Sequence, residues 1–130
     1  MRIGFAVLAV AAGGALGSVA RYLISTWTQV RFGAWFPWGT FAINLTGSFL
    51  IGVVFGLAAA RGGMSPYLRV FLTTGVLGGY TTFSSFAYET YALGSEGAYL
   101  RASAYALGSL ALGVAAAYAG LAAVRLATPA

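Results

Sequence analysis

Residues 75–89 read Gly-Val-Leu-Gly-Gly-Tyr-Thr-Thr-Phe-Ser-Ser-Phe-Ala-Tyr-Glu, within a stretch otherwise apolar enough to cross a bilayer. Adjacent glycines, a run of hydroxyls and two phenylalanines three apart make a poor lipid-facing surface. Irregular or polar backbone at membrane depth persists only where protein buries it or where it lines a watery path. Uncharged hydrogen-bond donors grouped in such a place suit the passage of an ion. A fixed charge would hold the ion too tightly, whereas conduction needs weak binding at several sites.

Other residues extend this set. Thr40, Asn44 and Ser48 are spaced i, i+4, i+8, which puts them on one helical face. Hydrogen bonding between membrane helices, worth ~0.6–2 kcal/mol, is enough to explain Thr40 and Ser48. Asn44 stands apart, because its amide carries two donors and suits an anion losing its water. Phe83 and Phe86 share a face, and Thr82, Ser85, Phe86 and Glu89 form an i, i+3, i+4, i+7 set. Phenylalanines at this spacing commonly pack a core. Set among hydroxyls, they can instead present their positive ring edges to an anion. Tyr105 and Ser109, four apart, stack a phenol on a hydroxyl.

Gly78-Gly79 has two readings. A helix broken there exposes carbonyls that can hold a monovalent cation, as unwound transporter helices do. Glycine equally permits a plain kink with close packing. Arg21 and Glu89 are the charges nearest the apolar zone; Arg21 reads as structural, and Glu89 is open between structure and function. Hydrolytic chemistry is excluded by inventory. Histidine, cysteine and lysine are absent, and Glu96 is the only acid besides Glu89, so no serine has an obvious base.

The elements that must position these groups follow from composition. The chain has 130 residues, is 60% apolar and only 7% charged, with a mean hydropathy of +0.86. Soluble domains are about 25% charged. Uncharged runs at Ile3–Ala20, Phe32–Ala60, Val70–Tyr88 and Ala102–Val124 each approach the roughly 20 residues of a membrane span. The expectation is one all-α membrane domain over residues 1–130, with four transmembrane helices over approximately 3–29, 38–60, 67–93 and 99–126. The third would measure about 40 Å as one rod, longer than a core of about 30 Å, so a break near Gly78-Gly79 is expected. Trp27, Trp35 and Trp38 flank the first loop, as in an interfacial aromatic belt. Pro37 suits the start of the second helix, Arg61-Gly62-Gly63 its stop, and Ser65-Pro66 the start of the third.

The opening apolar stretch is longer than a secretory core and ends in Arg21-Tyr22, so a membrane helix is expected there rather than a leader. The net charge of +5 is all arginine and scattered, which argues against nucleic acid. With four spans, Arg2, Arg61, Arg69 and Arg125 share one side; Arg21, Arg31 and Arg101 share the other. Orientation follows the imbalance of cations between sides, and four against three is almost none. Insertion both ways up, with antiparallel pairing, is the expectation. Gly13/Gly17, Gly52/Gly56 and Gly75/Gly79 have the spacing of tight helix seams.

Gly13-Gly14-x-x-Gly17-x-x-x-Arg21-Tyr22, Pro37-x-Gly39-Thr40-x-x-x-Asn44-x-x-Gly47 and Gly75-x-x-Gly78-Gly79-x-Thr81-Thr82-Phe83-Ser84-Ser85-Phe86-x-x-Glu89 together resemble the Fluc (CrcB-type) fluoride channels. Ser85 stands where the family usually has threonine and keeps the hydroxyl. The resemblance implies a passive, fluoride-selective channel that exports fluoride across the bacterial cytoplasmic membrane. It implies an antiparallel dual-topology homodimer embedded in lipid, with two pores. Asn44, Phe83 and Phe86 would line the fluoride path, with Thr82, Ser85, Tyr105 and Ser109 beside it. The Gly78 and Gly79 carbonyls of both subunits would hold a central structural sodium ion. A small multidrug exporter is the nearest rival, but its first-helix glutamate is missing here. A membrane assembly factor would leave the polar track unexplained.

Overall fold

The computed structural model describes residues 2–60 and 63–128, so the Arg61-Gly62 part of the expected helix stop lies outside the described residues. The described chain is all-helical: α1 (Ile3–Phe32), α2 (Trp38–Ala60), α3 (Pro66–Val70), a π-helical segment (Phe71–Leu77), α4 (Gly78–Tyr80), α5 (Phe83–Ser95) and α6 (Tyr99–Ala127). Three of these, α1, α2 and α6, are long and apolar enough to cross a membrane. The remaining stretch, 66–95, is a composite.

Local chemistry sets the ends. At the end of α1, Gly33 takes φ +71° and its N–H reaches the Gln29 carbonyl at 2.9 Å, a closure that favours glycine. Pro66 sits in the first turn of α3, where its missing N–H costs no hydrogen bond. Gly97, at φ +78°, turns α5 into α6. Arg101 pins the first loop against α6. Its guanidinium donates to the Trp35 carbonyl at 2.8 Å and lies 5.4 Å from the centre of the Trp35 ring.

Packing relies on close backbone approach, because lipid tails give helices no hydrophobic reason to associate. Two seams result. Gly13 and Gly17 of α1 lie directly on the backbone of 71–80; a methyl at Gly13 would sit 2.6 Å from the Phe71 carbonyl oxygen. Gly52 of α2 meets the Ala117 backbone, and Gly120 of α6 meets the Phe49 backbone. Where the glycines end, a small aromatic core begins. Tyr105 and Ile43 are fully buried, and Phe36, Phe41 and Phe86 pack around Tyr105, Leu93 and Ala102.

The break differs in position from the expected one. Gly78 and Gly79 are helical, and the chain turns extended at Thr81 (φ −80°, ψ 160°) and Thr82 (φ −151°, ψ 120°). Gly79 serves the seam instead: a methyl there would lie 2.5 Å from the Gly14 carbonyl oxygen and 3.1 Å from Ser18 Oγ. What ends the helix is a competitor on α2.

Candidate functional site

That competitor is Asn44. Its Oδ1 accepts the Thr82 N–H at 2.9 Å, and its Nδ2 donates to the Thr82 carbonyl at 3.0 Å. A side-chain amide thus replaces the helical partners of one residue, on both its donor and its acceptor. The helix ladder ends with the Thr81 N–H on the Leu77 carbonyl. A new one starts when Thr82 caps α5, its Oγ1 accepting the Ser85 N–H at 3.2 Å. With Thr81 and Thr82 extended, the carbonyls at the end of α4 lack the i+4 donors a continuous helix would supply.

Two cavities lie along the Thr40–Asn44–Ser48 stripe, and the first of them borders the break. One, of about 380 Å³, is lined by Asn44, Ser48, Gly78, Thr81, Thr82 and Phe83 among others. The second, of about 260 Å³, lies where α1, α2 and α5 converge, and takes in Thr28, Thr40, Glu89 and Glu96. Both acids of the chain therefore face one cavity, at the opposite end of the stripe from the glycines.

At the wall of this second cavity sits a hydrogen-bonded cluster on Glu89. Its Oε1 accepts the Thr40 hydroxyl at 2.7 Å, and its Oε2 accepts the Tyr105 phenol at 2.6 Å. No hydrogen bond joins Glu89 to Arg21 among the described residues; Arg21 lies half-buried on α1. The sequence leaves the role of Glu89 open, and its half-buried place between two hydroxyls answers how the carboxylate is satisfied. The signal was there in part, since Thr40 and Tyr105 stood out, but helix spacing does not tell which hydroxyl meets which acid.

The phenylalanines part company. Phe83, at the first turn of α5, is 78% exposed on the side of the larger cavity. Phe86 is half-buried, its ring centre 5.2 Å from Tyr105 and 5.7 Å from Phe83. A continuous ring path thus runs from the open face at Phe83 through Phe86 to the Glu89 cluster.

Counting protons separates the donors. Tyr105 and Thr40 give theirs to Glu89, and Thr82 gives its own to Ser85 Oγ at 3.1 Å. The second N–H of Asn44 and the hydroxyl protons of Ser85 and Ser109 have no acceptor among the described residues. Ser109 Oγ is the one buried side-chain oxygen or nitrogen there without any hydrogen-bond partner. The arrangement can offer several neutral donors and ring edges to a small anion. It offers no nucleophile–base pair.

The carbonyl set fits a hard monovalent cation in kind, because such ions take oxygen ligands. Gly78 and Thr81 line the larger cavity, and a methyl on Gly78 would meet nothing nearer than the Thr73 carbonyl oxygen at 3.6 Å. Gly79 faces α1 with its Cα. No group of three His, Cys, Asp or Glu side chains comes together among the described residues.

Fold and site together define a multi-pass helical membrane protein whose polar groups gather at a side-chain-clamped helix break. Residues 8–121 match the family of CrcB-like protein, Camphor Resistance (CrcB), and the chain belongs to that family. It is 58% identical over 87 residues to the fluoride-specific ion channel FluC of Rhizobium meliloti, a match covering 67% of this chain and 70% of that one. It is 55% identical over 91 residues to the protein of the same name from Nitrobacter winogradskyi, covering 67% and 69%. With the one from Thermus thermophilus the figures are 55% over 86 residues, 66% and 67%. The expected kinship with CrcB-type proteins holds, and the kin are ion channels rather than enzymes.

Proposed function

We propose that this protein is a passive, fluoride-selective channel of the bacterial cytoplasmic membrane. The observation that carries the reading is the Asn44-clamped break at Thr81-Thr82. It gathers unpaired neutral donors and two phenyl rings within an otherwise apolar bundle. Fluoride is small and strongly hydrated, so a path must replace its water with many hydrogens. In this reading Asn44, Phe83 and Phe86 line the path and the Ser85 and Ser109 hydroxyls donate to the ion. Thr82 and Tyr105 hold the walls, one by capping α5 and one by bracing Glu89. The composite 66–95 passes the bilayer as a fourth crossing.

A monomer leaves Phe83 and the larger cavity open at its side. A second copy inserted the other way up would close that side, in keeping with the near-equal arginine tally, and would give two pores per antiparallel homodimer. The oxygens around Gly78 and Gly79 would then meet their symmetry mates, and a sodium ion held there would offset the carbonyls' mutual repulsion.

The test is fluoride release from liposomes holding purified protein. Fast release of fluoride and slow release of chloride are expected. Vesicles that stay tight to fluoride, or that release it only in exchange for protons and a cationic drug, would refute the proposal.

A further inference from the structure

The end of α4 is held by α2 at a second point, and the residue involved is Tyr80. Its phenol oxygen lies 2.9 Å from Thr46 Oγ1. Thr46 already donates its single proton to the α2 backbone, to the Ala42 carbonyl at 2.7 Å with the Ile43 carbonyl at 3.2 Å. The Tyr80 hydroxyl is therefore the donor, and Thr46 Oγ1 the acceptor. The Tyr80 ring lies over Gly47, where a methyl would come 3.4 Å from Cδ1 and 3.7 Å from Cε1 and would clash with the Thr81 side-chain methyl. On the other flank of Gly47, Asn44 holds Thr82. The three residues at the end of the broken helix are thus held by α2 in turn: Tyr80 by Thr46, Thr81 by Gly47 and Thr82 by Asn44.

We infer that Tyr80, through its hydrogen bond to Thr46, is a positioning residue that aims the freed carbonyls at the end of α4. A two-residue extended break removes the helical bonds that would tie the last turn of α4 to α5, so the orientation of that turn depends on what packs against it. Asn44 fixes the chain after the pivot at Thr81; before it, the α1 seam at Gly13, Gly14 and Gly17 backs the helix on one side, and the Tyr80–Thr46 bond and the Gly47 contact hold it on the α2 side. The bond acts on the cation site rather than on the anion path, because the Gly78 carbonyl lies on the Tyr80 side of the pivot. The inference rests on the sodium site proposed above.

The experiment titrates sodium, against N-methylglucamine, on two readouts: fluoride efflux from liposomes holding the protein, and the unfolding midpoint of the purified protein in detergent, which bound sodium raises. Tyr80→Phe removes the hydroxyl alone. It should raise the sodium concentration for half-maximal efflux about fivefold, the factor one neutral hydrogen bond is worth. Efflux at saturating sodium should match the parent protein, which a general loss of structure would not permit. Thr46→Val should give the same shift and Thr46→Ser none. The double variant Tyr80→Phe/Thr46→Val should shift no further than either single change, because both remove one bond. A Tyr80→Phe titration identical to the parent's, or shifts that multiply in the double variant, would overturn the inference. Parent efflux that is fast and indifferent to sodium would overturn the sodium site itself, and this inference with it.

Discussion

Removing the Asn44 amide is the sharpest perturbation of the break. Thr82 is 8% exposed, so its N–H and carbonyl have little access to water. Asn44→Ala leaves both without partners. Each buried unsatisfied group costs about 1–3 kcal/mol, and water entering the vacated space recovers part of this. A net loss of about 2–4 kcal/mol follows. Asn44→Asp keeps an acceptor for the Thr82 N–H but turns a carboxylate oxygen toward the Thr82 carbonyl, now acceptor against acceptor at 3.0 Å, and adds negative charge beside the proposed anion path. Aspartate should therefore be the worse substitution, although it is the closer in shape. The assay pairs initial fluoride efflux per folded protein with the unfolding midpoint in detergent. Both variants should lose most efflux, with aspartate the less stable. An alanine variant with parental efflux and a stability change under about 1 kcal/mol would show that the amide does not hold the break.

Three further outcomes follow from the same geometry. Ser109→Ala removes a buried hydroxyl that has no partner; thermal denaturation should show a gain of about 1 kcal/mol while fluoride efflux falls, and unchanged efflux would remove Ser109 from the path. Phe86→Ala should cost about 2 kcal/mol, roughly half the fully buried value, because the ring is half-buried against Tyr105. Phe83→Ala should cost under about 0.5 kcal/mol in the monomer. Both should impair efflux, so stability and flux part at Phe83 and move together at Phe86. Gly17→Ala sets a methyl against the Val76 carbonyl and 2.8 Å from the Tyr80 nitrogen. Overpacking of this kind costs about 1–3 kcal/mol, and since backbone lies on the far side the upper end applies, read as a lowered unfolding midpoint.

Much of this was legible in the chain, and the part that was not has one physical cause. Pro37 and Pro66 mark helix starts because the preference of proline for a first turn is local, although Ser65 makes no side-chain cap hydrogen bond. The seam glycines and the Thr40–Asn44–Ser48 face were equally visible, since helical spacing fixes which residues share a side. Length alone requires a break, and the glycines point to Gly78-Gly79, whereas the chain breaks at Thr81-Thr82. Glycine signals backbone freedom, but this helix ends where Asn44, 38 positions away, outcompetes its hydrogen bonds. The π-helical turn at Phe71–Leu77 has no local signature either. Phe83 and Phe86 looked equivalent at three-residue spacing, yet α5 begins at Phe83, which leaves that ring at the open edge. The Glu89 cluster joins residues 49 and 16 positions apart, a pairing set by how whole helices rotate against each other.

The most direct measurement is the reversal potential of currents through the purified protein in a planar bilayer, with unequal fluoride and opposing chloride gradients. The neutral-donor path predicts reversal at the fluoride equilibrium potential, unmoved when chloride on either side is changed. Reversal that follows chloride, or no protein-dependent current in fluoride, would contradict it.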